Sequence, residues 1–560
     1  MLDSSVSRHL RCLFIGFQDQ DNLGLRYLMS SAQSAGHDTE IQTFEADPRP
    51  ILEAVRQKKP DFIGFSLIFQ FMTRQFADVI EALREAGVTA HISVGGHFPS
   101  FNHQSVMDAA PGIDSVIRFE GEATMTDLLA ALATDQDWSK IPGLAARLLS
   151  GDVRSNPLRG QIMELDTLPW PERADIAYER ADQPTAAILG SRGCPWNCDF
   201  CSIRPFYEAQ EGSLRRLRSP KDVVEEMRHL FHDRGVALFL FQDDDFLATG
   251  SRARQWAGEI ADRIAESDIG GHVAWKMSCR SDELRPDIIA QMKRGGLTHV
   301  YMGVESGDET GLKNMNKLLK PEKHIAAGNM LRDAGLSFDF GFMLLDPWSD
   351  FVQVRNNIDF LDAFVGDGWS VAGFCRMLPY AGTPIEKRLG KEGRLIGTEQ
   401  EPDYRFLDTK LDRFYAWMLE TFHTRNFTTE GLSHILRGMV FESRIQVDHA
   451  AWMSREETRW LQYIVSRSNK TATTALRLAV DYFEETPYDE IAVHSGYLAI
   501  LTEREKAEEQ ILTRQLEAFW NEPERRTRRR ARQDARLAGG FDQSWTFAEN
   551  EFEARGVGVR

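Results

Sequence analysis

Short apolar runs alternate with amphipathic stretches along the first 135 residues. Runs at 12–17, 41–44, 61–67, 90–96 and 115–118 read as strands, since each is short and closed by polar or glycine residues. Between them, 23–35, 51–58 and 74–86 space their apolar residues as helices do, the first ending near Gly36. This alternation predicts a doubly wound, Rossmann-like parallel sheet, whose ligands sit beyond the C-terminal strand ends. Those ends carry Ser66, then Gly95-Gly96-His97-Phe98-Pro99, then Glu120-Gly121-Glu122. Glycine lets backbone approach a ligand closely, although a glycine pair after a strand also makes an ordinary turn.

The pattern changes at 136–183, where Pro142, Gly143, Gly151, Pro157, Gly160 and Leu168-Pro169-Trp170-Pro171 are scattered. Prolines forbid a long helix here, and an extended linker strap is expected. From 184 to 385 strand–helix alternation returns with longer units. Strands are expected at 185–190, 237–242, 272–278, 299–304, 337–344 and 370–378. Helices are expected at 220–233, 251–266, 286–294, 309–316, 322–334 and 351–364, with Pro220 and Pro286 suited to first helical positions. Residues 386–545 read as mostly helical, with helical spacing in 406–422, 456–465, 474–483 and 501–520. The expected organisation is therefore 1–135, 136–183, 184–385 and 386–545.

A composition of 42% hydrophobic and 27% charged residues in a 560-residue chain is that of an ordinary globular protein. No run of eighteen apolar residues occurs, so no membrane helix is expected. Residues 1–10 show no apolar segment behind a basic start, and the expectation is a cytoplasmic enzyme. The net charge of -18 repels polyanions and disfavours a nucleic-acid role. The dense basic run from Arg525 to Arg532 reads as a solvated tail, with an acidic partner or RNA as the alternative.

The chemistry concentrates in Ser191-Arg192-Gly193-Cys194-Pro195-Trp196-Asn197-Cys198-Asp199-Phe200-Cys201, a C-x3-C-x2-C spacing behind the strand at 185–190. A structural zinc site wants four ligands, and Cys279 and Cys375 each stand alone in the sequence. A disulfide framework belongs to short secreted chains. Three thiolates on one tight loop can instead hold three irons of a [4Fe-4S] cluster, leaving the fourth iron open to a substrate chelate.

This spacing resembles the radical S-adenosylmethionine (SAM) enzymes, in which the open iron binds the amino and carboxylate groups of SAM. The six β/α units resemble their partial (β/α)6 barrel, with catalytic groups at the C-terminal strand ends. The resemblance implies Cys194, Cys198 and Cys201 as cluster ligands and Phe200 as the residue whose backbone meets the SAM adenine. Asp243, in Gln242-Asp243-Asp244-Asp245, is a candidate for the SAM ammonium or for capping the next helix. Arg280 is a candidate for the SAM carboxylate or for a surface ion pair. Gly303-Val304-Glu305-Ser306-Gly307 resembles the family's Gly-x-Glu-Ser-Gly stretch, which places Glu305 and Ser306 toward the SAM ribose and methionine. The fifth strand departs from the family's Gly-Leu-Pro-Gly-like turn, reading Leu345-Asp346-Pro347-Trp348. Tyr380, in Tyr380-Ala381-Gly382-Thr383-Pro384, and Cys375 are candidates on the substrate side, with ordinary packing as the alternative for both.

Residues 10–135, placed ahead of this motif, resemble the cobalamin (B12)-binding domain of B12-dependent radical SAM enzymes. The resemblance implies cobalamin contacts at Ser66, Gly95, Gly96, His97, Glu120 and Gly121. Classical B12 domains carry Asp-x-His-x-x-Gly after the first strand, whereas this chain has Asp19-Gln20-Asp21-Asn22-Leu23-Gly24. No histidine from that loop can ligate cobalt, and His97 and His103 are the other nearby candidates.

The family's chemistry implies a C-methyltransferase. A 5′-deoxyadenosyl radical from SAM takes a hydrogen atom from an unactivated carbon, and methylcobalamin methylates it. The alternatives are a ring-forming or rearranging enzyme with the same cofactors, and a radical SAM enzyme whose N-terminal domain binds no cobalamin. The expected partners are a small-molecule or peptide substrate and an electron donor such as flavodoxin or ferredoxin, with neither membrane nor nucleic acid.

Overall fold

In the computed structural model the described residues are 8–18, 21–173, 179–180, 183–445, 453–491 and 496–527. Asp19, Gln20, the basic run from Arg528 onward and residues 528–545 of the expected C-terminal unit lie outside them.

The first sheet is built from β1 (Arg11–Gly16), α1 (Leu23–Ser34), β2 (Asp38–Thr43), α2 (Pro48–Lys58), β3 (Phe62–Ser66), α3 (Thr73–Glu85), β4 (His91–Gly95), α4 (His97–Phe101), α5 (His103–Ala109), β5 (Ser115–Ile117) and α6 (Glu122–Ala133). The strand order is β2-β1-β3-β4-β5, all parallel. Its switch point between β1 and β3 is where such sheets place ligands. One face packs Ile51, Phe76, Ile80 and Val106 against the strands, and the other packs Leu25, Met29, Met125 and Leu128. Burial on both faces explains the near-continuous apolar strands.

The expected strap differs in one respect. Leu144–Arg147 (β6) and Val153–Ser155 (β7) form a hairpin that extends this sheet antiparallel to β5. Gly151, with φ +89, turns it. Its strands are too short for a period to stand out in the sequence.

The second sheet holds β8 (Glu179–Arg180), β9 (Gln183–Ile188), β12 (Leu238–Phe241), β13 (Ala274–Arg280), β14 (Leu297–Glu305), β15 (Ser337–Leu345) and β16 (Cys375–Arg376). Between β9 and β12 lie β10 (Ser191–Arg192), α7 (Ile203–Glu208), β11 (Arg216–Leu217) and α8 (Pro220–Arg234). The order β16-β15-β14-β13-β12-β9-β8 is parallel from β9 to β16, a half-barrel curled around a lumen. Helices α9 (Ser251–Glu266), α10 (Pro286–Arg294), α11 (Glu309–Asn314), α12 (Pro321–Asp333) and α13 (Phe351–Val365) complete the β/α units. Pro220 and Pro286 do open their helices, where no N–H is needed.

The sixth strand is shorter than the expected 370–378. The Ala372 N–H and the Ser370 carbonyl bond to Asn469 of a C-terminal helix instead of to β15 (2.8 and 2.9 Å). Beyond α14 (Pro384–Lys391) and the hairpin β17 (Leu395–Gly397) and β18 (Pro402–Tyr404) come α15 (Thr409–Phe427), α16 (Leu432–Arg444), α17 (Arg455–Glu485) and α18 (Gly496–Asn521). The two helical patches expected at 456–465 and 474–483 are one helix. Ser454 and Glu457 form a capping box at its start, and neither Gly nor Pro interrupts it. No helix among the described residues is long and apolar enough to cross a membrane.

Candidate active site

The cysteine loop leaves the C-terminal end of β9 at the mouth of the half-barrel. Gly193 has φ +89, and a β-carbon there would run into the Leu214 carbonyl, so only glycine makes the turn into Cys194. The aspartate run ending β12 fastens this turn. Asp243 accepts from the Gly190 N–H at 3.0 Å and from the Ser191 hydroxyl. Asp244 accepts from the Gly193 N–H at 2.9 Å, and Asp245 from the Ala248 N–H at 3.2 Å. Burial pushes the Asp244 carboxyl up to about 6. Buried carboxylates are tolerated where backbone donors meet them. Asp243 is 3% exposed with both oxygens taken, and in this structure it fastens the loop.

Arg280 is engaged with the same loop. Its guanidinium lies 3.8 Å over the Trp196 ring, 3.9 Å from Cys198 Sγ and 3.0 Å from the Lys317 carbonyl, with Asp282 at 3.1 Å. These partners make it a clamp on the loop. Trp196 Nε1 donates to Glu283 at 2.9 Å, and Glu283 in turn shares a hydrogen bond with Asp245. Burial, and then the neighbouring Asp245, hold the Glu283 carboxyl protonated up to about 9. Glu283→Gln, which keeps the donor and the shape, is expected to leave stability within about 0.5 kcal/mol. Glu283→Ala, which strands the Trp196 N–H and Asp245, is expected to cost about 2 kcal/mol. Urea denaturation of both variants checks this pair.

All six cysteines are free, and Cys194, Cys198 and Cys201 are the half-exposed members of one loop. Burial pushes all three thiols up, Cys201 to about 12. Metal coordination is the usual way such thiols become thiolates. Among the described residues no three His, Cys, Asp or Glu close around a single point as one metal ion requires. A cubane spreads three thiolates over three irons, so this loop fits a cluster.

Across the mouth, Glu305 ends β14 with φ +69, a strained conformation for a residue with a side chain. Its Oε1 meets Lys317 Nζ at 3.1 Å, and the ammonium stands 5.9 Å over the Phe200 ring. Lys317 escaped the sequence reading, because it follows a short helix without any pattern to mark it. Ser306 is fully buried, its hydroxyl donating to Asn357 at 2.9 Å and accepting from the Asp308 N–H at 3.1 Å. These bonds shape the turn after β14.

The ligand edge of the first sheet abuts this loop. Glu120 accepts from Arg216 at 2.6 and 2.8 Å, and from Arg192 at 3.2 Å, while Arg192 also reaches Glu122 at 2.6 Å. All four groups are buried. Glu120 thus forms an inter-sheet lock, its oxygens being filled by arginines. A second lock joins Asp21, Arg26, Arg173, Glu226 and Arg218, and Asp21 accepts from the Ala187 N–H of β9 at 3.1 Å.

Ser66 and Gly95 lie side by side at the ends of β3 and β4. Gly96 has φ +116, and a β-carbon there would collide with the Leu67 carbonyl. Gly121 caps α6. The His97 ring stacks on Phe206 at 4.5 Å, and its Nε2 is buried without a hydrogen-bond partner among the described residues. Burial lowers this imidazole to about 4, so it stays neutral. His103 is bonded to Ser155. Ile68, Phe69 and Phe71 after β3 are exposed, as are Leu378 and Tyr380 after β16. The Ala381 N–H donates to Gln70 at 2.9 Å and brings these two loops together. Exposed apolar side chains gathered at a ligand edge fit a large flat partner such as a corrin. Cys375 Sγ lies 3.5 Å from the Phe342 carbonyl.

This is the architecture of a B12-type sheet docked on a radical SAM half-barrel. The B12 binding domain model matches residues 17–129, and the radical SAM superfamily model matches residues 188–358. An uncharacterized methyltransferase of Pyrococcus horikoshii is 28% identical over 421 residues, covering 74% of this chain and 86% of its own. The hopanoid C-3 methylase of Methylococcus capsulatus is 26% identical, covering 71% and 75%. The solved structure of OxsB, a cobalamin-dependent SAM radical enzyme with aqua-cobalamin and SAM bound, superposes with a TM-score of 0.68 at 16% identity. That superposition covers 95% of this chain and 85% of OxsB. The chain belongs to the B12-binding radical SAM enzymes.

Proposed function

We propose that this enzyme is a cobalamin-dependent radical SAM C-methyltransferase acting on an unactivated carbon of a small molecule or peptide. The observation that carries the reading is the junction. A loop with three free thiols lies at the half-barrel mouth, and the ligand edge of the B12-type sheet is locked onto it through Glu120, Glu122, Arg192 and Arg216.

In this reading Cys194, Cys198 and Cys201 hold a [4Fe-4S] cluster. The Phe200 backbone, Glu305 and Lys317 hold SAM. Ser66, Gly95, Gly96, His97 and Gly121 border cobalamin, with Ile68 and Phe69 offering it an apolar surface. When bound, these cofactors supply one-electron cleavage of SAM, hydrogen-atom abstraction and a transferable methyl group. The protein's share is position and exclusion of water. The aspartates of β12 fix the loop, Arg280 and Trp196 wall it off, and the ion locks keep the two sheets in register. Electrons come from a donor of the flavodoxin or ferredoxin kind.

Turnover with SAM carrying a labelled methyl group tests the reaction. The label is expected in a product carbon, with 5′-deoxyadenosine formed alongside. 5′-Deoxyadenosine with an unlabelled, cyclised or rearranged product would assign the non-methylating chemistry instead.

A further inference from the structure

The concave face of the half-barrel is more polar than its outer face. On β14, Val300, Met302 and Val304 are buried against the helices, yet Tyr301 between them is 39% exposed in an interior strand of the sheet. A tyrosine so placed faces the lumen. Register sets it beside Ser278 of β13 and Asp339 of β15.

Helix α16 covers this region from the open side. Phe441 meets the His299 ring edge-on at 5.1 Å, and Arg437 Nε stands 3.4 Å from Asp339 Oδ2. Gly373 makes room for the guanidinium, since a β-carbon there would collide with Nη2. The two lumenal acids are already partnered. Glu305 meets Lys317, while Asp339 meets Arg437 and accepts from the Phe340 N–H at 2.9 Å. Neither the Arg437 Nη groups nor the Tyr301 hydroxyl has a hydrogen-bond partner among the described residues. The unspent capacity of Arg437 and Tyr301 is therefore donor capacity, and an arginine pairs best with an oxyanion.

We infer that Arg437 and Tyr301 form the subsite that anchors the substrate, and that the anchored group is an anionic oxygen group, a carboxylate or a phosphate, on a small molecule. The inference rests on the proposed reading that the substrate enters this half-barrel. Tyr301 precedes Glu305 by four strand residues, roughly 13 Å. The two side chains converge nonetheless: the Tyr301 hydroxyl and Glu305 Oε2 lie 2.8 and 3.3 Å from where a β-carbon on Gly341 would stand, so the anchor adjoins the mouth.

Ligand-observed NMR on the full chain, reconstituted with iron and sulfide, tests the anchor with benzoate, phenyl phosphate and benzyl alcohol as probes. The wild type is expected to bind at least one of the two anions and to prefer it to the alcohol. Arg437→Gln is expected to weaken that anion about tenfold or more, and Tyr301→Phe about threefold. Arg437→Lys should fall between wild type and Arg437→Gln. Iron content and circular dichroism verify that each variant folds. Should Arg437→Gln fail this check, Gly373→Ala, which pushes the guanidinium aside, must show the same loss. Equal wild-type affinity for benzyl alcohol and the anions, no anion binding at all, or wild-type anion affinity in the variants would overturn the anchor. Wild type that takes up iron and releases 5′-deoxyadenosine while ignoring the anions overturns the anchor alone. Wild type that takes up no iron overturns the functional reading itself.

Discussion

Protein carrying Cys198→Ala, purified anaerobically, is expected to hold little iron and to release no 5′-deoxyadenosine above background. Each thiol of the loop has a separate iron to serve in the proposed cluster, so the loss of one cannot be shared by the other two. Cys198 is also the thiol nearest to positive charge. Burial pushes it up, and Lys317 and Arg280 pull it part of the way back. The control is Cys279→Ala. Cys279 is buried in the core on the helix side of β13, and its loss should leave iron uptake intact. Iron and sulfide analysis of both proteins decides the matter. Full iron in Cys198→Ala would remove that thiol from the ligand set.

Glu120→Ala is expected to produce the largest loss of stability, about 3–5 kcal/mol, because it leaves the buried Arg216 guanidinium facing no carboxylate and Arg192 with Glu122 alone. Chemical denaturation should show it. The pH dependence has a definite sign. Burial alone would raise the Glu120 carboxyl, but Arg216 and Arg192 outweigh burial and hold it below the usual value. A depressed folded pKa gives stability that is complete above the unfolded carboxylate value, about 4.3, and lost as the pH falls below it. The wild-type lock is thus expected to hold through neutral pH and to fail only in acid, whereas Glu120→Ala should lack that acid transition.

Much of the fold could be read from the chain because parallel strands buried on both faces leave compact apolar runs between amphipathic helices. The cysteine spacing is local, so the loop was legible at once. What escaped depends on pairs far apart in sequence. Glu120 lies 72 and 96 residues from Arg192 and Arg216, and no local pattern distinguishes a carboxylate filled by arginines from one awaiting a ligand. Asp243, Asp244 and Asp245 read as one acidic run, yet Asp243 and Asp244 close on different residues of the cysteine loop and Asp245 on its own turn at Ala248. Ser306 belongs to a recognisable stretch, but Asn357 turns its hydroxyl inward. The short β6–β7 hairpin and the capture of residues 370–372 by Asn469 were likewise decided by tertiary neighbours.

The proposed chemistry requires an iron left without a protein thiol at the barrel mouth. Electron paramagnetic resonance of the reduced, reconstituted protein before and after addition of SAM addresses it most directly. A [4Fe-4S] signal whose g-values move when SAM is added is the predicted result. A cluster signal that SAM leaves unchanged would contradict the account.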